Sequence, residues 1–161
     1  MTGEQMWRAF AAARGVEGAR YDVWAFGGDP DGLARLALDG GKTATSSAHP
    51  LYALGDDPLP EAGEYSVILD GRGEAVCVIR TERVTVLPYR DVGGEHARRE
   101  GEGDLSLVYW RRGREAFLPR RWHRRGCGLP RICRWSARSS GGSGRSENLS
   151  SWRKRIRPEG V

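Results

Sequence analysis

The sequence predicts an α+β domain over roughly residues 1–117, followed by a basic tail. Two observations support the domain: short segments carry helical periodicity with capping residues, and two strand-like segments flank a glycine-containing turn at residues 70–73. Because little helix separates these strands, the pattern favours an antiparallel sheet or a small barrel. A third observation, an abrupt change of composition after Phe117, predicts that the fold ends there.

Three helices are predicted from their capping residues. Thr2 and Gln5 have the spacing of a capping box, and apolar residues follow at helical intervals, so we expect a helix over residues 3–14. Asp29 followed by proline is typical of a helix start. Asp104 is predicted to cap a last helix, on whose apolar side we place Leu105, Val108 and Tyr109.

The strands are predicted from β-branched and aromatic residues. Residues 65–69 and 75–87 form the arms of the hairpin. Residues 42–47 are compatible with a strand, and residues 21–26 with a strand or an extended entry segment. Three prolines in residues 48–63 predict a loop that proline stiffens.

The tail differs from the domain in charge and in pattern. Residues 1–116 carry 14 Lys and Arg against 19 Asp and Glu, whereas residues 117–161 carry 12 against 2. Residues 139–144 have the composition of a flexible linker. We therefore expect no folded element in the tail, and we expect removal of residues 119–161 to change the Tm little.

Length and composition exclude several classes of protein. The 161 residues suit one domain, and no stretch approaches the ~20 apolar residues of a membrane span. The first residues lack the features of a secretory signal. Three cysteines, Cys77, Cys127 and Cys133, are too few for a disulfide scaffold. We expect a reducing, cytoplasmic setting, with no membrane and no obligate protein partner.

Two motifs that would bind phosphate or metal are incomplete. Gly41-Lys42-Thr43 is similar to the end of a phosphate loop, but the glycine required five residues earlier is Leu36. His123, Cys127 and Cys133 offer three ligands where a structural zinc site needs four. The sequence therefore predicts no metal and no cofactor.

Three carboxylates lie close together in Glu100, Glu102 and Asp104. Their spacing does not match a calcium-binding EF-hand loop, although oxygen ligands for a divalent cation are conceivable. The plain interpretation is a turn followed by an N-cap, and another is that one glutamate faces a pocket.

Five blocks of sequence together point to one family. They are Trp24-Ala25-Phe26-Gly27, Gly41-Lys42-Thr43-Ala44-Thr45-Ser46-Ser47, Pro58-Leu59-Pro60, Val76-Cys77-Val78-Ile79, and the segment from Glu100-Gly101-Glu102-Gly103-Asp104 to Trp110-Arg111. With these blocks, residues 21–117 resemble the ASCH domain, a family similar in fold to the PUA domain of RNA-binding proteins. The resemblance implies a small PUA-like β-barrel with flanking helices, here preceded by an N-terminal helix in residues 1–20.

The resemblance also implies a site. Some bacterial ASCH proteins hydrolyse the acetyl amide of acetylated cytidine with a Lys and a Thr three residues apart and a downstream Glu, which match Lys42, Thr45 and Glu100. Thr45 would attack the acyl carbon, Lys42 would act as a base if burial lowered its pKa, and Glu100 would orient the lysine or carry protons. Other members cleave or bind RNA, so the ligand is RNA or a modified nucleoside. The implied ligand-binding residues are Trp24, Phe26, Ser46, Ser47, Glu102, Asp104 and Arg111.

Two features depart from the family pattern. Arg114 stands where the family has a histidine, and nothing from residue 118 onward resembles the apolar strand that closes the family's sheet. The composition of residues 118–161 is typical of GC-rich coding DNA read in the wrong frame, so we hypothesise a frameshift between about residues 112 and 122. Three hypotheses of function follow: a module that binds RNA or a nucleoside, an amide hydrolase, and a non-functional relative whose barrel cannot close.

Overall fold

A computed structural model describes the backbone of residues 1–55, 57–117 and 131–139. Its helices are α1 (Gly3–Arg14), α2 (Pro30–Leu38), α3 (His49–Gly55), α4 (Gly94–Glu100) and α5 (Leu107–Phe117). Its strands are β1 (Tyr21–Ala25), β2 (Ala44–Ala48), β3 (Tyr65–Leu69), β4 (Ala75–Pro88) and β5 (Arg131–Ser139). The predicted α+β class is confirmed, as are α1, α2, β2 and the β3–β4 hairpin within a residue or two.

The chain divides into two compact units. The first includes Met1–Gly40 and Glu64–Arg80, and in it β1 pairs with β3 in parallel while β3 pairs with β4 antiparallel. The capping box starts α1: Thr2 N–H donates to Gln5 Oε1 at 3.0 Å and Gln5 N–H to Thr2 Oγ1 at 3.2 Å. The core of this unit is formed where α1 meets the two hairpin strands, by Met6, Trp7, Phe10, Ala11, Val67, Ala75 and Val78.

The second unit comprises Gly41–Gly63 and Thr81–Ala137. In it β5 lies between β4 and β2, and it pairs with β2 antiparallel, with Ser46 opposite Arg134. Its apolar core, formed by Tyr89, Val92, Ala97 and Trp110, joins the end of β4 to α4 and α5. This core fixes the two helices that carry most of the candidate site.

The expectation that the tail holds no folded element is wrong for β5. Hydrogen bonds between backbone N–H and C=O groups do not depend on the side chains. Strand β2 can therefore pair with β5 although the sequence of β5 shows little strand periodicity. The remainder of the tail, including the linker-like residues and the incomplete zinc set, lies outside the described residues. The frameshift remains a hypothesis.

The expected loop at residues 48–63 contains helix α3 instead. Pro50 lies in its first turn, where a helix has no use for the backbone N–H that proline lacks.

The N-terminus of α5 also differs from the prediction. Ser106, not Asp104, caps the helix, since its Oγ accepts from Tyr109 N–H at 3.0 Å. Asp104 Oδ1 accepts from Ser106 N–H at 2.9 Å and so orders the turn before the cap. The buried side of this helix is formed by Trp110. The three residues that we placed on its apolar side are exposed instead: Leu105, Val108 and Tyr109.

Two further predictions concern the whole fold. These strand pairings do not show the closed barrel that the resemblance implied. Within the described residues, no helix has the length and apolar character needed to cross a membrane.

Candidate functional site

The site is built around the carboxylate of Glu100, which is fully buried. Its Oε1 accepts from three neutral or ring donors: Ser46 Oγ at 2.6 Å, His96 Nε2 at 2.9 Å and Trp110 Nε1 at 2.7 Å. Its Oε2 accepts from Lys42 Nζ at 3.0 Å and from an Arg114 guanidinium nitrogen. Both carboxylate oxygens are therefore saturated with donors.

Lys42, Glu102 and Arg114 complete a charged cluster with Glu100. Lys42 Nζ donates to Glu102 Oε1 at 2.7 Å and to the backbone carbonyl of Glu100 at 3.3 Å. Arg114 also donates to Glu102 Oε1, at 3.0 Å. The Lys42 side chain is 2% exposed, whereas those of Glu102 and Arg114 are each 25% exposed. Two cations thus face two carboxylates, and the ion pair of Arg114 and Glu102 is partly exposed.

The surroundings of Glu100 decide its charge. Burial alone would raise its pKa, but the hydrogen bond from His96, the cations Lys42 and Arg114 and the hydrogen bond from Ser46 outweigh burial and lower the pKa below its usual range. Glu100 is therefore an ionised anchor for donors and not a free proton acceptor.

Backbone geometry brings Lys42 to α4. Gly101 ends α4 with φ of 75°, in the left-handed region that favours glycine, and a side chain there would overlap the carbonyl of Gly41. Thr43 N–H donates to the Arg99 carbonyl at 2.7 Å. The end of α4 and the start of β2 are consequently held in direct contact.

The hydroxyls of β2 lie on opposite faces of the strand. Successive side chains alternate, so Ser46, which contacts Glu100 and His96, faces the cluster, and Thr45 and Ser47 face away. Ser47 Oγ lies 2.7 Å from Tyr52 Oη. Thr45 is buried but takes no part in the hydrogen bonds of the described residues around Glu100.

The structure brings together four of the predicted site residues: Lys42, Ser46, Glu100 and Glu102. The other six are not found in the cluster: Thr45 and Ser47 face away from it, and the remaining four lie elsewhere. Trp24 and Phe26 belong to the first unit, where their rings meet edge to face at 4.9 Å. Asp104 is exposed, and an Arg111 guanidinium nitrogen donates to the Arg90 carbonyl at 3.3 Å.

Sequence reasoning missed His96, Trp110 and Arg114 as members of the cluster. His96 and Glu100 are four residues apart, the spacing that places two side chains on one helix face, but α4 is only seven residues long and gives little periodicity. In the sequence, Arg114 stands out only as a departure from the family pattern. Its position one turn after Trp110 places it over that ring, 5.9 Å from the centroid.

Comparison with known proteins identifies the family. A family model of the ASCH domain matches residues 22–127, about two thirds of the chain. The chain belongs to the ASCH domain family. No curated protein matches it.

Two solved structures support the ASCH fold. An ASCH domain of Lactobacillus crispatus JV V101 is 22% identical, with a TM-score of 0.76, covering 85% of this chain and 92% of that one. A protein of Enterococcus faecalis V583 is 28% identical, with a TM-score of 0.73, covering 84% and 86%. The PUA-like fold that the resemblance implied is therefore confirmed.

The described part of this ASCH domain contains no group of three or more His, Cys, Asp and Glu side chains suited to a metal ion. The carboxylates of the cluster instead face Lys42 and Arg114.

Proposed function

We propose that this ASCH domain binds RNA or a modified nucleoside beside the cluster of Lys42, Glu100, Glu102 and Arg114. The proposal retains the cytoplasmic setting and the closed barrel as predictions. It rests on a hydrogen-bond donor of the cluster that lacks an acceptor and that a nucleobase or a phosphate would pair.

The observation that carries the proposal is the Nε–H of Arg114. This atom is buried and has no hydrogen-bond acceptor in the described part of the chain, although the same guanidinium donates to two carboxylates. Buried donors without acceptors are rare in proteins and need an explanation. The Arg114 side chain as a whole is 25% exposed, so a small rotation of it would bring Nε–H to a carbonyl oxygen of a base or to a phosphate oxygen, and guanidinium groups bind both.

The partly exposed members add selectivity. Glu102 and Ser46 are acceptors, since the Ser46 hydroxyl donates its proton to Glu100, so beside the donor Arg114 the site offers both hydrogen-bonding characters to the edge of a base. Because two carboxylates hold the guanidinium in place, little side-chain entropy remains to be lost on binding.

Amide hydrolysis is the second candidate, and one observation favours it: Lys42 and Glu100 form a buried pair 3.0 Å apart beside the hydroxyl of Ser46. Two features weigh against it. Lys42 Nζ is occupied by ion pairs with the carboxylates of Glu100 and Glu102, and Thr45 lies on the face of β2 that points away from Glu100. For these reasons binding is the primary proposal.

Binding is tested with the full chain, using cytidine, acetylcytidine and a fluorescein-labelled 12-nucleotide RNA. Arg114→Lys keeps the positive charge beside Glu100 and Glu102 but removes the Nε donor, so we expect affinity to fall about tenfold. Arg83→Lys, at an exposed position of β4, is the matched control and should bind as the wild type does. A wild-type chain that binds none of the three ligands would refute the proposal.

Hydrolysis is tested by acetate release from acetylcytidine. The enzyme hypothesis expects Lys42→Arg and Thr45→Val to abolish release and Thr45→Ser to retain it. If the wild type releases acetate no faster than the Lys42→Arg variant does, the enzyme hypothesis is excluded. The third hypothesis, a non-functional relative, expects neither a ligand nor a cooperative thermal transition.

A further inference from the structure

An exposed apolar patch lies at the start of α5, formed by Leu105, Val108 and Tyr109. Their exposed fractions are 45%, 70% and 46%. Leu105 has φ of 64°, the left-handed conformation that a leucine rarely adopts and that costs free energy. Neither burial nor local backbone preference explains an apolar side chain at that position. A contact between the patch and a binding partner would explain it.

The Tyr109 ring is held firmly in this patch. It lies directly on the backbone of Gly103, where a side chain would overlap the ring, and Gly103 has φ of 57°. Ser106 Oγ fixes the backbone beneath the ring by accepting from Tyr109 N–H at 3.0 Å. Leu105 N–H donates to the Glu102 carbonyl at 3.1 Å and closes the same turn. The ring is thus supported on one side by the turn and remains about half exposed.

The ring is close in the fold to the charged cluster. Gly103, on which it rests, follows Glu102 directly, and consecutive Cα atoms are about 3.8 Å apart. Arg112 is exposed one turn further along α5, on the same helix face as Tyr109. An aromatic ring, a nearby cation and polar groups for a base edge are the combination that single-stranded RNA requires.

We propose that Tyr109 is a stacking platform for an unpaired base of single-stranded RNA, with Arg112 beside the phosphate backbone. This inference rests on the proposed function and extends it by naming the form of nucleic acid: a strand that reaches from the cluster onto the patch, with an unstacked base over the ring. A firmly seated ring suits stacking because little freedom remains to be lost on binding.

A protein partner fits the patch less well. Three apolar side chains fall well short of the roughly 800 Å² per partner that a stable protein interface buries. Arg112 on the same face complements phosphate charge. RNA is therefore the occupant that the small area of the patch and its aromatic ring favour.

The test measures fluorescence anisotropy of a labelled oligoadenylate of 12 nucleotides with the full chain. Tyr109→Ala and Tyr109→Leu should weaken binding about 5- to 100-fold, because both remove the aromatic face. Tyr109→Phe should bind within twofold of the wild type. Val23→Ala, in β1 of the first unit, removes exposed apolar surface outside the patch, and we expect it to bind as the wild type does. Equal thermal midpoints show that each variant folds, and Tyr109→Leu carries the test if Tyr109→Ala does not fold.

The outcomes separate this inference from the proposed function. If Tyr109→Leu binds RNA as tightly as the wild type does, the platform alone is overturned. The same holds if the wild type binds cytidine but not oligoadenylate. Failure to bind cytidine, acetylcytidine or RNA would overturn both. The platform would also be overturned if the wild type dimerised with rising concentration, Val108→Asp abolished the dimer, and Val108→Asp and Tyr109→Leu both bound RNA as tightly as the wild type does. That result would assign the patch to a second copy of the chain.

Discussion

Lys42 and Glu100, 58 positions apart in the chain, form a buried ion pair with Nζ and Oε2 separated by 3.0 Å. Their side chains are 2% and 0% exposed. A buried pair of this kind adds little net stability over apolar residues of the same size, but breaking it leaves a charge without its partner. We infer that the pair specifies how the start of β2 meets the end of α4, and four properties of the site and the sheet can be tested.

Replacing Glu100 by Gln should destabilise the fold strongly. The variant keeps the shape of the side chain but leaves Lys42 and Arg114 with one carboxylate between them, and breaking a buried pair costs about 3–5 kcal/mol. Glu102→Gln, at a partly exposed position, should cost about 1 kcal/mol or less. Urea denaturation measures both, and equal losses would show that burial of Glu100 does not matter.

Stability should fall on acidification. Because the folded-state pKa of Glu100 lies below its ordinary value of 4.5, the ionised carboxylate contributes stability above that pH, and the contribution is lost as pH falls through the lower folded-state value. Urea midpoints between about pH 6 and pH 3 measure the effect. Glu100→Gln should show a shallower dependence on pH, and a wild-type slope no steeper than that of the variant would contradict the assignment.

Arg114→Met should destabilise the domain by about 1.5–3 kcal/mol, since it removes hydrogen bonds to two carboxylates. Arg112→Met changes an exposed arginine of the same helix and serves as the control, with an expected change within about 0.5 kcal/mol. Thermal unfolding compares the two. A larger loss in the control would mean that helix charge, and not the cluster, is the important property.

Removal of residues 119–161 should lower the Tm by more than about 5 °C, contrary to the expectation from the sequence alone. The deletion removes β5 and leaves the backbone groups of β2 that pair with it exposed. Removal of residues 140–161 keeps β5 and should have a smaller effect. Equal Tm values for the full chain and the longer deletion would restore the original expectation.

The frameshift hypothesis has its own test in the coding DNA. Translation of the other two frames downstream of the Trp110 codon should yield an apolar, β-branched run within about 40 residues, which would suit the place beside β2 better than Arg131–Ser139. Immediate stop codons in both frames would end the hypothesis.

Local signals in the sequence were sufficient for several elements. The capping box of Thr2 and Gln5 and the Asp29-Pro pair mark their helices through contacts within four residues, and the glycine turn marks the hairpin. The resemblance to the family likewise predicts Lys42, Ser46, Glu100 and Glu102 in one site.

Tertiary contacts decided the rest. Strand β5 forms because β2 presents unpaired backbone groups, a cause that lies about 90 residues away in the chain. Thr45 faces away from Glu100 because the strand alternates, whereas Ser46, without a role in the family's proposed chemistry, faces it. The sequence by itself determined that Lys42, Glu100 and Glu102 belong to one site, but not that Arg114 joins them. Only packing of α4 and α5 around Trp110 decided that Glu100 is buried and that Arg114 forms an ion pair with it. Burial and pairing depend on neighbours that are distant in the chain.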